Sequence, residues 1–228
     1  MLIRPSFFEA GDFPFSAGLM NCWDGLRQAV LDRYLYLQFT HPHIYTTRNL
    51  GVVGQRGMFY LLMAGMKVQA NRGRCPLTCR ALELVPNLHN AAFYLLGPGC
   101  HILPHTGLCD RVLRAHLGLI CPPDCALRIG TEQQCWRDGE LMVFDDTLEH
   151  EAWNRSSRWR AVLSLDFFHP VPATAELQIH LAHHALNQKP AELAWYAAAG
   201  LELPAGLQLS EPGPSLRSMV DTHGLYFC

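Results

Sequence analysis

The sequence lacks the features that mark a membrane span, a secretory leader or a nucleic-acid surface. No apolar run in the 228 residues approaches the ~20 residues needed to cross a bilayer. The N-terminal stretch MLIRPSFFEAGDFPF has no uninterrupted apolar core of the kind found in signal peptides. A formal net charge of −2 gives no basic footprint for nucleic acid or an anionic membrane. Any small anionic ligand must therefore be held by a few local cations.

The sequence also lacks a disulfide pattern. Its nine cysteines have no regular spacing, which favours free, packed thiols in a reducing compartment, by default the cytoplasm. Two C-x3-C pairs, Cys75/Cys79 and Cys121/Cys125, raise the alternative of zinc. Structural zinc more often uses a two-residue gap, and Cys121-Pro-Pro-Asp-Cys125 is typical of a turn. We favour packed thiols.

Apolar residues are plentiful, and their spacing predicts one helix and then many strands. Hydrophobic residues make up 49% of the chain and charged residues 17%, so a well-buried core is expected. Residues 16–37 form an amphipathic pattern with Ser16 as a candidate N-cap. The apolar side of this pattern contains Leu19, Trp23, Leu26, Val30, Leu31 and Tyr34. We expect this helix to pack on the outside of a sheet.

Short alternating segments separated by turn residues predict a β-sandwich or barrel. Strands are predicted at 91–99, 111–120 and 160–168, and Asp138-Gly139 is a hairpin signal. In the second of these strands, Arg114 and His116 share one face, and the opposite face is wholly apolar. The cationic face points either to solvent or into a barrel, and periodicity does not decide between them.

The region after Pro172 changes character. Two helices are predicted there, followed by a loose Gly-, Pro- and Ser-rich tail from 205. We therefore divide the chain into a domain at 1–172 and an extension at 173–228. His180, His183 and His184 lie on one helical face, but no carboxylate or cysteine nearby completes a metal site, so we favour an ordinary exposed helix.

His105 and His150 bracket the central strands. Neutral imidazoles suit iron, zinc, copper and nickel, and non-haem iron oxygenases usually add a carboxylate two residues after the first histidine. Here that position is Gly107, which cannot bind a metal. The residues alone thus leave two alternatives, a two-histidine metal site or no metal site.

Several short motifs, in order, resemble the aspartyl/asparaginyl β-hydroxylase family of Fe(II)- and 2-oxoglutarate-dependent dioxygenases. The resemblance covers about residues 54–172. The matching pieces are Arg74-Cys-Pro-Leu-Thr78, Gly97-Pro-Gly99, Pro104-His-Thr-Gly107, Leu113-Arg-Ala-His-Leu-Gly118, Gly139-Glu-Leu-Met-Val-Phe-Asp-Asp146, Glu149-His-Glu151, Trp153-Asn154 and Asp166-Phe-Phe-His-Pro170. The resemblance implies a mainly β fold, a double-stranded β-helix (jelly-roll or cupin-like barrel), with supporting helices at both ends. It also implies an iron site without a carboxylate ligand, so Gly107 agrees with the family.

The resemblance assigns roles to individual residues. His105 and His150 match the iron ligands, and Arg160 matches the arginine that binds the distal carboxylate of 2-oxoglutarate. Arg114 and His116 match positions that contact the co-substrate near the metal. Asp146 matches an acidic residue that can hold a metal-bound water.

Two departures from the family bear on the pocket and the substrate. Tyr94 stands where the family often has a serine that assists the distal-carboxylate arginine. A phenol can donate the same hydrogen bond, so we expect Tyr94 to bind the co-substrate, with its bulk reshaping the pocket. Leu108-Cys109-Asp110 replaces an asparagine-containing segment. Three substrates fit: an Asp or Asn side chain in a peptide, ranked first by a narrow margin, a fatty acyl chain, and a free or carrier-bound amino acid. A different alternative is a catalytically silent barrel that binds a carboxylate or a protein partner. We expect no nucleic-acid partner.

Overall fold

Two antiparallel sheets form the fold, with a cavity between them. The computed structural model describes residues 5–32, 52–63, 65–107 and 112–169. The strands in these ranges are β1 (Phe7–Phe8), β2 (Val52–Val53), β3 (Arg56–Met63), β4 (Met66–Lys67), β5 (Leu88–Leu96), β6 (His101–His105), β7 (Val112–Ile120), β8 (Cys125–Ile129), β9 (Glu132–Cys135), β10 (Leu141–Phe144), β11 (His150–Asn154) and β12 (Arg160–Phe168). The larger sheet has the order β1-β10-β7-β12-β5-β3-β4, and the smaller has the order β2-β6-β11-β8-β9. Chain neighbours repeatedly change sheet, which is the connectivity of a jelly roll, and the predicted mainly β barrel is confirmed.

Helices cover one face of the larger sheet. A 3-10 turn at Ala10–Asp12 is followed by α1 (Ser16–Asn21), α2 (Trp23–Leu31), α3 (Gln69–Arg72) and α4 (Pro76–Leu82). The predicted helix at 16–37 is present from Ser16 with a break at Cys22, and residues 33–37 lie outside the described residues. Ser16 as N-cap is wrong, because Phe15 occupies that position and no side chain caps the helix. Trp23 Nε1–H donates a 2.8 Å hydrogen bond to the carbonyl of Gly118 on β7, which confirms that the helix packs outside the sheet.

Both faces of the larger sheet are buried, each against a different layer. The outer-facing residues of β12 are Ala161, Leu163, Leu165 and Phe167, and they join one core with the helices. The inner-facing Val162 belongs to a second core shared with residues of the smaller sheet such as Leu127 and Ala152. The alternation of β12 therefore separates two buried environments rather than core from solvent.

The turn at Asp138-Gly139 has a different role from the one predicted. Gly139 has the positive φ of +79° that favours glycine, so a turn forms as expected. However, β9 pairs with β8 while β10 pairs with β7. The turn thus carries the chain from one sheet to the other, and the hairpin prediction is wrong.

The cysteines of the described ranges are free thiols, several of them buried. Cys75, Cys100 and Cys125 are almost fully inaccessible. The Cys125 thiol donates to Asn154 Oδ1 at 3.0 Å, and burial raises the pKa of Cys121 to about 12. These thiols are therefore packed against protein groups, as predicted.

Some predictions fall beyond these ranges. The extension at 173–228, its three histidines, and Asp110 all lie outside the described residues. None of the helices that the structure does describe is long and apolar enough to cross a membrane.

Candidate active site

Strand register brings the predicted polar residues to one face of the larger sheet. On β12, Arg160 and Asp166 share the inner face. Ser164 is opposite His116 of β7, and Asp166 is opposite Arg114. Because directly opposed residues of neighbouring strands point to the same side of a sheet, Arg114 and His116 also point inward. This excludes the solvent-facing alternative, since the inner face looks onto the smaller sheet.

The two histidines meet on neighbouring strands of that smaller sheet. His150 of β11 is directly opposite His105 of β6, and their ring centroids are 4.1 Å apart. Each ring uses Nδ1 in the same way: His105 bonds the carbonyl of Leu103 at 2.8 Å, and His150 bonds that of Leu148 at 2.8 Å. A carbonyl only accepts, so each Nδ1 carries the proton and each Nε2 keeps a lone pair.

The histidines are electrically suited to bind a metal. Burial, followed by the neighbouring His105, lowers the pKa of His150 to about 3, and burial also lowers the pKa of His105. Both rings are therefore neutral at pH 7, which is the form that coordinates metals. Backbone carbonyls that fix the tautomer are a common support for metal-binding histidines.

Such a metal would have two protein ligands. Among the described residues, no group of three or more His, Cys, Asp or Glu side chains is placed to hold a metal ion. The position of a third ligand two residues after His105 is closed by the fold, because a Cβ added to Gly107 would lie 2.6 Å from the carboxylate of Asp146. The backbone N–H of Gly107 also donates to the carbonyl of Asp146 at 2.6 Å. The residues present thus fit a metal held by two histidines and no carboxylate.

Arg114 is held by two buried carboxylates. Its Nε and Nη2 donate to the two oxygens of Asp166 at 2.6 and 2.9 Å, and Nη2 lies 3.1 Å from Asp146 Oδ2. Asn90 donates a further 2.9 Å hydrogen bond to Asp166. Burial alone would raise the pKa of Asp166, but Arg114 outweighs it and holds that pKa below its usual range. Asp146 differs, because burial prevails there and raises its pKa to about 6.

Arg160 has no carboxylate partner within the described part of the chain. It is 2% exposed, and its guanidinium carbon lies 4.2 Å from the ring centre of Trp136. Its Nη1 makes a long hydrogen bond of 3.4 Å to the carbonyl of Tyr94. Its Nε is buried and has no hydrogen-bond partner. Burial lowers its pKa to about 10, so the side chain is still charged at pH 7.

His116 presents a hydrogen-bond donor to the same space. Trp136 Nε1–H donates to its Nδ1 at 3.2 Å. Burial, with Arg160 next, lowers the pKa of His116 well below its usual value, so the ring is neutral and its one proton is on Nε2. That Nε2 is buried and has no partner. An acceptor such as a carboxylate oxygen would satisfy it.

One cavity between the sheets, open to solvent on one side, connects these groups. It is lined by six predicted residues, namely Tyr94, His105, Arg114, His116, His150 and Arg160. Asp146 is not in the lining and contacts Arg114 from behind. The hydroxyl of Tyr94 lies 3.2 Å from that of Tyr60 rather than beside Arg160.

Sequence reasoning missed Arg56, which begins β3 and lines the same cavity. Its Nη2 is buried without a hydrogen-bond partner. The signal available in the sequence was a lone arginine at the head of the apolar run MFYLLM. The run itself has no clean alternation, so it gave no face to which Arg56 could be assigned.

Comparison with known proteins identifies related sequences over the region that carries this site. The model of a family described as aspartyl/asparaginyl beta-hydroxylase matches residues 37–170. An ornithine lipid ester-linked acyl 2-hydroxylase from Rhizobium tropici is 34% identical over 179 residues, covering 75% of this chain and 63% of that protein. The aspartyl/asparaginyl beta-hydroxylase of Homo sapiens is 34% identical over 128 residues, covering 54% of this chain and 17% of that protein. The chain thus spans less than two thirds of either relative.

Among solved structures, one similar chain is a prolyl hydroxylase from Trichoplax adhaerens, in complex with a peptide fragment of the hypoxia inducible factor oxygen degradation domain. The likeness covers 74% of this chain and 83% of that chain, with a TM-score of 0.49 and 12% sequence identity.

Proposed function

Because the chain belongs to the aspartyl/asparaginyl β-hydroxylase family, we propose that it is an Fe(II)- and 2-oxoglutarate-dependent hydroxylase. One observation carries the proposal: two neutral histidines, each with a lone pair on Nε2, share a cavity with a buried arginine that has no carboxylate partner among the described residues. A metal suits the first of these groups, and a carboxylate suits the second.

His105 and His150 would hold the iron through Nε2. The bound Fe(II) would supply the oxidising chemistry, in which O2 and 2-oxoglutarate are consumed, succinate and CO2 are released, and a C–H bond of the substrate becomes C–OH. The carbonyls of Leu103 and Leu148 keep both rings in the orientation and tautomer that this requires.

Arg160 and His116 would bind the co-substrate. A guanidinium fork binds a carboxylate through two parallel hydrogen bonds, and burial strengthens that interaction. His116 offers its Nε2–H from the neighbouring strand. Arg114 already has its charge compensated by Asp146 and Asp166, so its main contribution would be to hold the shape of this wall.

For the substrate we propose the β-carbon of an Asp or Asn side chain in a peptide, the reaction in the name of the human relative. A second candidate is a fatty acyl chain. It is favoured by the length of the match to the acyl 2-hydroxylase, which extends over 179 residues against 128 for the human protein.

Succinate release from 2-oxoglutarate tests the activity. Purified protein with Fe(II) is assayed alone, with acidic peptides and with acylated amino acids, and the hydroxylated product is identified by mass spectrometry. Anaerobic addition of Fe(II) and 2-oxoglutarate should also produce a visible charge-transfer band that His150→Ala loses. A colourless mixture of wild-type protein, Fe(II) and 2-oxoglutarate, together with no release of succinate, would contradict the proposal. The band without turnover on any substrate would favour a catalytically silent barrel.

A further inference from the structure

Arg56 and Arg160 occupy equivalent places on either side of one strand. Both are directly opposite Leu96 of β5, Arg56 from β3 and Arg160 from β12. Opposed residues share a face, so both side chains enter the cavity, and both line it. The position of Arg56 therefore follows from strand register and is not an accident of one rotamer.

The two arginines have different surroundings. The ionisable groups that act on Arg160 are Cys121, Cys125 and Cys100, whereas those that act on Arg56 are Tyr94, Tyr60 and Cys100. Arg56 and His105 line the same cavity. Arg160 lies against Trp136, 4.2 Å from the ring centre, whereas Arg56 lies across β5 from it.

Arg56 has no carboxylate partner within the described ranges. Its Nη2 is buried and makes no hydrogen bond, although the residue as a whole is only partly buried. Leaving a guanidinium partly desolvated and unpaired is costly, and an arriving anion would remove that cost. Because Arg56 is more open than Arg160, it can receive a group that enters from solvent after the co-substrate has bound.

The charges of the cavity leave room for one more carboxylate. Three arginines line it, and two carboxylates, Asp146 and Asp166, both lie on Arg114. The protein therefore contributes one net positive charge. A divalent iron adds two positive charges and 2-oxoglutarate adds two negative charges, so the same single positive charge remains in the loaded site. A carboxylate neutralises this charge, whereas a phosphate dianion would leave the site with a net negative charge.

We propose that Arg56 binds a carboxylate of the substrate in this cavity, separately from the co-substrate carboxylate held by Arg160. This inference rests on the proposed function, because the bound molecule is a substrate only if the protein is a hydroxylase. It restricts the substrate to molecules with a carboxylate near the reacting carbon. An acidic side chain in a peptide and an N-acylated amino acid both provide one.

The test compares binding of charged and neutral probes to wild type and to Arg56→Met, which removes the charge at similar length. Ligand-observed NMR on protein loaded with a divalent metal and 2-oxoglutarate measures the affinity of N-acetyl-aspartyl-methylamide and of its asparaginyl counterpart. N-lauroyl-ornithine and its methyl ester form the second pair. We expect Arg56→Met to weaken binding of a carboxylate probe about 10- to 100-fold and to leave its neutral counterpart unchanged. The pair that shows this dependence identifies the source of the carboxylate.

Two controls separate the possible failures. Arg80→Met removes an exposed arginine of α4 and should change no affinity. Calorimetric titration of 2-oxoglutarate should give equal affinities for wild type and Arg56→Met. If Arg56→Met instead loses 2-oxoglutarate as Arg160→Met does, Arg56 belongs to the co-substrate site and the inference is overturned. Equal probe affinities for wild type and Arg56→Met also overturn it.

Failure of the proposed function has a different signature. Wild type would then fail to bind 2-oxoglutarate in the calorimeter. Selective, Arg56-dependent binding of a carboxylate probe in that case would keep Arg56 as a carboxylate site and reject only the hydroxylase. Loss of both would reject both.

Discussion

Arg114 and Arg160 lie on adjacent strands and enter the same cavity, but only Arg114 is paired with carboxylates of the described residues. Arg114 is bound by Asp166 and Asp146, which we call the paired side. Arg160, together with Arg56, has no carboxylate partner in the described part of the chain, which we call the unpaired side. The pKa of Arg114 is raised well above its usual value, because its carboxylates outweigh burial. That of Arg160 falls to about 10, because burial is not opposed by any carboxylate.

The difference separates stability from binding. On the paired side every charge has a partner before any ligand arrives, so this side can hold its geometry in the empty protein. On the unpaired side the fold bears the desolvation of a guanidinium without compensation, and a ligand carboxylate would supply it. Damage to the first side should therefore appear in the free energy of unfolding, and damage to the second in ligand affinity.

The largest effect is expected from breaking the paired side. Asp166→Asn removes the charge that accepts two hydrogen bonds from Arg114, and breaking a buried pair in this way typically costs about 3–5 kcal/mol. Urea denaturation measures the loss in the free energy of unfolding. The matched control is Glu140→Gln, which breaks the exposed pair with Arg137 and should cost less than about 1 kcal/mol. Similar small losses in both variants would mean that the Arg114 network does not stabilise the fold.

Breaking the unpaired side should have the opposite profile. Arg160→Met removes a buried charge that has no carboxylate partner in the described ranges, so the free energy of unfolding of the empty protein should be unchanged or higher. Affinity for 2-oxoglutarate should fall by about 2–5 kcal/mol, which is roughly 30- to several-thousand-fold. Arg160→Lys should be intermediate, because lysine keeps the charge and loses the fork. Calorimetry on metal-loaded protein tests the series, and iron binding should survive in both variants. Equal affinities for wild type and Arg160→Met would contradict the assignment.

A smaller effect is expected at Gly107, which lies two residues after His105 and packs against Asp146 of the paired side. Gly107→Ala would place a Cβ 2.6 Å from the Asp146 carboxylate, so the backbone at position 107 or the carboxylate must shift. Overpacking of this kind typically costs about 1–3 kcal/mol, measured as the free energy of unfolding. Gly107→Asp meets the same obstacle, so it should impair turnover rather than complete a three-ligand site. Gly11→Ala, with no atom within 4 Å of the added Cβ, should be neutral. A Gly107→Ala protein as stable as wild type would show that this shift has no cost.

The placement of Arg160, Arg114 and His116 was within reach of the sequence, because β7 and β12 alternate cleanly. Alternation gives the face but not the layer that the face meets. The pairing of Arg114 with Asp166 could not be predicted from the sequence. It depends on β12 lying beside β7 in one register, and register is set by the whole sheet. The same limit explains the wrong hairpin prediction at Asp138-Gly139, because the residues of a turn do not determine which sheet the next strand joins.

The family resemblance supplied what periodicity could not, but only for positions that match the family's motifs. Arg56 lies on no such motif, so nothing pointed to it until β3 was placed beside β5. Tyr94 was expected to bind the co-substrate in place of the family's serine, but the direction of its hydroxyl could not be predicted. Its hydroxyl pairs with Tyr60, a partner on another strand, and only its backbone carbonyl meets Arg160.

The smallest effect is expected from Trp136, which touches two groups that line the cavity. Its indole N–H donates to His116, and its ring lies against the Arg160 guanidinium. Trp136→Phe keeps an aromatic ring near Arg160 and deletes the hydrogen bond that fixes the His116 tautomer. A single hydrogen bond contributes about 0.5–1.5 kcal/mol, so affinity for 2-oxoglutarate should fall by roughly 2- to 12-fold. The nitrogen chemical shifts of His116 should show a mixture of tautomers.

Trp23→Phe is the matched control for this change. It deletes an indole hydrogen bond of 2.8 Å to the carbonyl of Gly118, on the helix-covered side of the same strand that carries His116. Both variants should lose a similar free energy of unfolding, and only Trp136→Phe should lose co-substrate affinity, because only Trp136 acts on groups that line the cavity. If the two variants lose affinity equally, the effect is a general loosening of β7. If Trp136→Phe binds 2-oxoglutarate as wild type does, the His116 proton does not contribute to the co-substrate site.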